Sequence, residues 1–135
     1  MKKIIFLEIP SSYLNCDEFI AVVSKVEGKN KLLNTLDVAL NFPDYFGHNW
    51  DALHDFLRDF SWIEKKGVVL VHIEIPKLSS EELKTYVEIL FNVVKDWKDG
   101  EEHYFKVIFP KYAELLIQGI IEKINFAGPN LQSEA

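Results

Sequence analysis

The run Val68 to Ile75, VVLVHIEI, is almost unbroken in apolar character. A strand with one wet face alternates polar and apolar residues. An unbroken run reads instead as a strand buried on both faces, as in a parallel sheet covered by helices. Lys3 to Ile9, closed by Pro10, and Tyr104 to Phe109, closed by Pro110, read as two further strands. Between these runs the apolar spacing turns helical. Asn15, with Glu18 three residues on, predicts a helix start; Phe19, Ile20, Val22, Val23 and Val26 supply its stripe, and Gly28 its stop. Asn30 predicts the cap of a second helix carrying Leu32, Leu33, Leu36, Ala39 and Leu40, ended by Pro43. Ser79 and Glu82 form a capping box for a long helix through Leu83, Tyr86, Val87, Leu90, Val94 and Trp97, stopped at Gly100. A last helix is expected over Lys111 to Lys123. Strands separated by helices predict an α/β fold, a small three-stranded parallel sheet with helices packed around it.

At 135 residues with a 48% apolar share, the chain has the length and content of one domain with a core of its own. Its net charge of −6, from 21 acids against 15 bases, argues against free nucleic acid or an anionic membrane as ligand and suits a basic protein partner. The single cysteine, Cys16, allows no internal disulfide and fits a reducing compartment. The apolar run Ile4 to Leu7 is too short for a signal-peptide core, and no segment approaches the ~20 apolar residues of a membrane helix. The expectation is a soluble cytoplasmic protein.

The segment Leu40 to Phe60, LNFPDYFGHNWDALHDFLRDF, carries the functional signal. From Gly47 onward, at roughly 100° per residue, Trp50, Leu53, Phe56, Leu57 and Phe60 fall on one side of a helical wheel. Asp51, Asp55 and Asp59 fall almost opposite. Like charges at this spacing destabilise a helix by about 0.2–0.5 kcal/mol per pair. Asp is a mediocre helix former away from the first turn, and only Arg58 sits near enough to offset the row. A face that breaks a local rule is a candidate for function. The turn Pro43-Asp44-Tyr45-Phe46-Gly47 places two aromatics just before it, one expected to seal the core and the other to stay exposed. A rigid aromatic beside carboxylates is what a binding hot spot needs.

The run PDYFGHNWDALHDFL resembles the signature of the barstar family, intracellular inhibitors of barnase-type ribonucleases. The match is carried by Pro43, Asp44, Tyr45, Phe46, Gly47, Asn49, Trp50, Asp51, Ala52, Leu53 and Asp55. The resemblance implies no catalytic residue, no cofactor and no metal. It implies that the turn tyrosine and the two helix aspartates, Tyr45, Asp51 and Asp55, contact a basic extracellular-type ribonuclease. The residue before the second aspartate, often aromatic in the family, is His54 here. Asp44, Gly47, His48, Asn49 and Asp59 complete the candidate partner-binding set. A further glutamate expected on the long helix aligns with Val93, leaving Asp96 as its nearest substitute. The resemblance covers Lys2 to Leu7 and roughly Asn30 to Pro110. It implies a single domain over 1–125, monomeric when free, with a helical insertion at 11–29, a helical extension at 111–124 and a flexible tail at 126–135.

Other readings compete. His48, Asp51, His54 and Asp55 lie within eight residues, and such a set could hold a metal or move protons. His54 points aside on the wheel, however, and no second cluster supplies a missing ligand. His72 sits in an apolar strand and reads as a satisfied core residue, and His103 precedes a strand. Cys16 has no partner residues, and the six glycines are isolated, so no phosphate loop is formed. A third reading is a barstar-like interaction module whose partner is not a ribonuclease.

Overall fold

A computed structural model describes residues 3–134, with side chains described through residue 125. The strands are β1 (Ile4–Leu7), β2 (Glu18–Val23), β3 (Gly67–His72) and β4 (Tyr104–Pro110); the helices are α1 (Lys29–Ala39), α2 (Trp50–Leu57), α3 (Ser80–Asp96) and α4 (Glu114–Glu134). The sheet has four strands in the order β1-β4-β3-β2, all parallel. β3 lies inside it and is buried along its whole length, which is why its sequence shows no polar alternation.

The fourth strand corrects the sequence expectation. Residues 18–23 form β2, not a helix, and the sheet is four-stranded rather than three-stranded. The capping signal at Asn15 is an Asx turn: its Oδ1 accepts from the Asp17 amide at 2.9 Å and starts no helix. The run that follows, FIAVV, is dominated by β-branched side chains, which pair in register with β3 from Glu18↔Gly67 to Val23↔His72. Gly28, read as a helix stop, is the residue preceding α1, with φ of 94°. The tail expected at 126–135 lies outside the residues whose side chains are described, while helical backbone runs to Glu134.

Alternation along the strands builds two apolar layers. Ala21, Val23, Val68, Leu70, Phe105, Val107 and Phe109 face the helices and form the main core with Leu32, Leu33, Leu36, Leu53, Leu57, Tyr86 and Leu90. Val69, Val71 and Ile108 point to the other face, where Tyr13 packs on them. β1 and β2 lie on opposite edges, so the link between them crosses the sheet, and its 3-10 turn Pro10–Ser12 touches β3 and β4. Polar anchors hold that link. Glu18 is buried and accepts hydrogen bonds from the Tyr13 and Tyr104 hydroxyls, with the Lys106 Nζ 3.0 Å away. His72, also buried, has Nδ1 3.0 Å from the Ile108 carbonyl oxygen and Nε2 2.7 Å from the Tyr86 hydroxyl.

Candidate functional site

α2 starts at Trp50 because Asn49 caps it: the Asn49 Oδ1 accepts from the Ala52 amide at 2.8 Å, while Nδ2 donates to the Gly47 carbonyl oxygen at 3.3 Å. A Cβ at Gly47 would stand 3.2 Å from that Nδ2, so a side chain there would crowd the cap. His48 takes a left-handed backbone conformation, φ 53°, and is therefore not part of the helix. Its Nδ1 lies 3.1 Å from the Phe46 carbonyl oxygen and its Nε2 3.2 Å from Asp37 Oδ2. These contacts join the end of α1 to the entry of α2.

The turn sorts its two aromatics as expected. Phe46 is 5% exposed and Tyr45 is 75% exposed. Phe46 packs in a cluster with Phe42 and Phe56, ring centroids 4.6 and 5.3 Å away. Tyr45 meets Phe56 edge-on at 5.4 Å. It is thus in water yet braced, a side chain that loses little freedom when a partner covers it.

Along α2, Leu53 and Leu57 are buried. Asp51 and Asp55 face outward, the Asp55 side chain being 79% exposed. Asp51 lies in the first turn, where the helix dipole favours a negative charge. His54, half-buried, has Nδ1 3.8 Å from Asp55 Oδ1. Asp44 is exposed beside Tyr45 in the sequence.

Two expectations about this helix need correction. Trp50 is half-buried rather than core: its ring lies 6.2 Å from the Tyr86 ring, and the Lys29 ammonium sits 5.2 Å from its centroid. Asp59 is not a third rung of the carboxylate row, because α2 ends at Leu57. The chain turns at Phe60, φ 55°, whose buried ring stacks on Trp97 at 5.9 Å, and Asp59 Oδ1 accepts from the Ser61 amide at 3.3 Å. Burial of Phe60 takes precedence over continuing the helix.

The end of α2 is also fixed. The Trp97 indole donates to the Leu57 carbonyl oxygen at 2.9 Å, and the Arg58 guanidinium lies 4.2 Å from the Trp97 centroid and 3.7 Å from Glu101. Asp37, Phe56 and Trp97 all position this face; the sequence pattern gives Phe56 and Trp97 only as apolar stripe residues and gives Asp37 no part. Asp37 has no local signal at all, since its contact with His48 depends on how α1 and α2 meet. Val93 is fully buried on α3 and offers no contact, whereas Asp96 is exposed. Among the described residues, no group of three or more His, Cys, Asp or Glu side chains comes together as a metal site, so His48, Asp51, His54 and Asp55 do not converge. No helix among the described residues is long and apolar enough to cross a membrane.

Neither the curated proteins nor the solved structures compared with the chain gave a match. The Barstar family model, described as barnase inhibitor, matches residues 17–110. That span runs from the residue before β2 to the end of β4 and contains the whole of the turn and α2. β2 thus lies within the matched span, although the resemblance implies a helical insertion at 11–29. β1 lies before the matched span and pairs with the β4 edge, Ile4↔Val107 to Leu7↔Pro110, and α4 follows that span and packs on α3. With most of its length accounted for by that match, the chain belongs to the Barstar family.

Proposed function

We propose that the chain is an intracellular inhibitor of immunity or antitoxin type, which plugs the active site of a basic barnase-like ribonuclease and catalyses nothing itself. The observation that carries this reading is Tyr45, exposed but braced on Phe56, preceding Asp51 and Asp55 on a helix pinned at both ends. A ribonuclease site holds phosphates with cationic side chains. Carboxylates on a rigid helix can stand in for those phosphates, with little ordering cost left to meet on association. The net charge of −6 would also speed encounter with a basic enzyme. Family membership supports the partner class, and the lone cysteine suits a reducing cytoplasm.

Titration of a barnase-type ribonuclease with wild-type protein and with Asp55→Ala tests this. Removing a carboxylate that meets buried cations typically weakens binding by about 2–5 kcal/mol, a range for which the barnase–barstar interface is itself a reference case. Inhibition should fall by a factor of tens to thousands while the melting temperature holds. An Asp55→Ala variant that inhibits as well as wild type but melts much lower would make Asp55 structural and sink the proposed interface.

A further inference from the structure

The acid excess of the chain is not spread evenly. At the end of the sheet where β3 and β4 begin, a cleft of about 430 Å³ is lined by Lys3, Lys66, Lys98 and Lys106. None of its lining residues belongs to the Tyr45–Asp51–Asp55 face. The four lysines come from separate segments, just before β1, just before β3, just after α3 and within β4. Backbone pairing fixes two of them. The Val107 amide donates to the Lys3 carbonyl oxygen at 2.7 Å and the Tyr104 amide to that of Lys66 at 3.1 Å.

The nearby carboxylates are mostly committed elsewhere. Glu101 accepts from the Lys98 amide and pairs with Arg58. Glu18 is buried behind the cleft, holding Lys106 and the two tyrosine hydroxyls. Among the described residues, Lys3, Lys66 and Lys98 form no ion pair with a carboxylate, and the Lys98 Nζ donates only to the Lys95 carbonyl oxygen at 3.2 Å. Asp99 is the one uncommitted acid in the lining. With Lys106 held by Glu18, Lys3, Lys66 and Lys98 converge with Asp99 as their one free counter-charge; an excess of like charge raises the local energy, and an anion bound among them lowers it. We infer that this cleft binds a small anion carrying two or more phosphate groups.

Calorimetric titration with inorganic tripolyphosphate and with ATP, both free of magnesium and at constant ionic strength, tests the inference. Wild-type protein should bind at least one of them. Lys66→Gln combined with Lys98→Gln should weaken that binding at least about tenfold, and arginine at both positions should restore it. Tighter binding of ATP would assign the site to a nucleotide, and equal binding to the phosphate chain alone. Absence of binding by both probes, or equal affinity in the glutamine variant, overturns the inference. Should the double variant melt below wild type, Lys66→Gln alone gives the same comparison. No nuclease enters the assay, so its outcome is separate from that of the inhibitor proposal.

Discussion

The Trp97 indole nitrogen lies 2.9 Å from the carbonyl oxygen of Leu57, forty residues earlier, and so ties the last turn of α2 to the end of α3. Leu57 is fully buried, and its carbonyl is among the last in a helix that leaves such groups without intrahelical partners. Trp97→Phe would keep a ring against Phe60 but remove the donor. The stranded carbonyl predicts a loss of about 1–3 kcal/mol, read as a lower denaturant midpoint at unchanged slope. A midpoint equal to wild type would mean that this tie contributes nothing.

Trp50 and Leu53 invert the usual ranking by size. Leu53 is fully buried in the main core, whereas Trp50 is half-exposed under Lys29. Truncation costs follow lost contacts and residual cavity, not residue volume. Leu53→Ala should therefore cost about 2–5 kcal/mol, and Trp50→Ala no more than that despite its larger side chain. Paired denaturation curves decide this, and a clearly larger loss for Trp50→Ala would place the indole in the core after all.

Much of the architecture was legible because its signals are local. β3 shows as an apolar run, α3 as a capping box with a stripe, and Asp51 with Asp55 as an outward pair. The errors arose where a short signal had two physical readings. Asn15 with Glu18 suits a helix cap or an Asx turn followed by a strand, and only the partner strand β3 decides between them. Asp59 continues the i, i+4 spacing on paper, but Phe60 is drawn into a pocket beside Trp97 and ends the helix first. The Asp37–His48 contact is a relation between two helices, and no spacing in one segment encodes it.

Acid should lower the stability of the protein over two pH ranges with distinct causes. Burial holds the His72 imidazole down to about 4, despite its bond to the Ile108 carbonyl. Its folded value is below the unfolded one, so the stability it contributes is full above about 6.5 and is lost as pH falls toward 4. Burial opposes the Glu18 charge, but hydrogen bonds from Tyr104 and Tyr13, together with Lys106, outweigh it and hold the carboxyl below its ordinary value. That contribution persists to lower pH and is lost below the ordinary Glu value of 4.5. Stability measured from pH 7 to 3 should decline first through the His72 range. In Glu18→Gln it should start lower at neutral pH and lose less below 4.5. Parallel curves for the two proteins would remove Glu18 from the acid response.

Asp51 and Asp55 should differ in stability though both serve the proposed interface. Asp51 is in the first turn of α2, where its charge meets the helix dipole; Asp55 lies a turn further on, with a like charge four residues before it. Asp51→Ala should cost about 0.3–1 kcal/mol of stability. Asp55→Ala should be neutral or slightly stabilising. Thermal melts at low and high salt check this, since both effects shrink with screening. Equal melting shifts for the two variants would contradict it.

Tyr45 offers the sharpest separation of binding from folding. The residue is 75% exposed, and its ring meets Phe56 edge-on. Tyr45→Ala should change stability by no more than about 0.5 kcal/mol, as for other surface positions. If the ring anchors a partner, the same change should weaken inhibition of the nuclease by about 2 kcal/mol or more, roughly thirtyfold. Tyr45→Phe divides that loss. Retained inhibition would assign the binding to the ring face braced by Phe56; lost inhibition would assign it to a hydrogen bond from the hydroxyl. Stability that collapses in Tyr45→Ala while inhibition per folded molecule is unchanged would make the tyrosine part of the aromatic cluster, not of a binding surface.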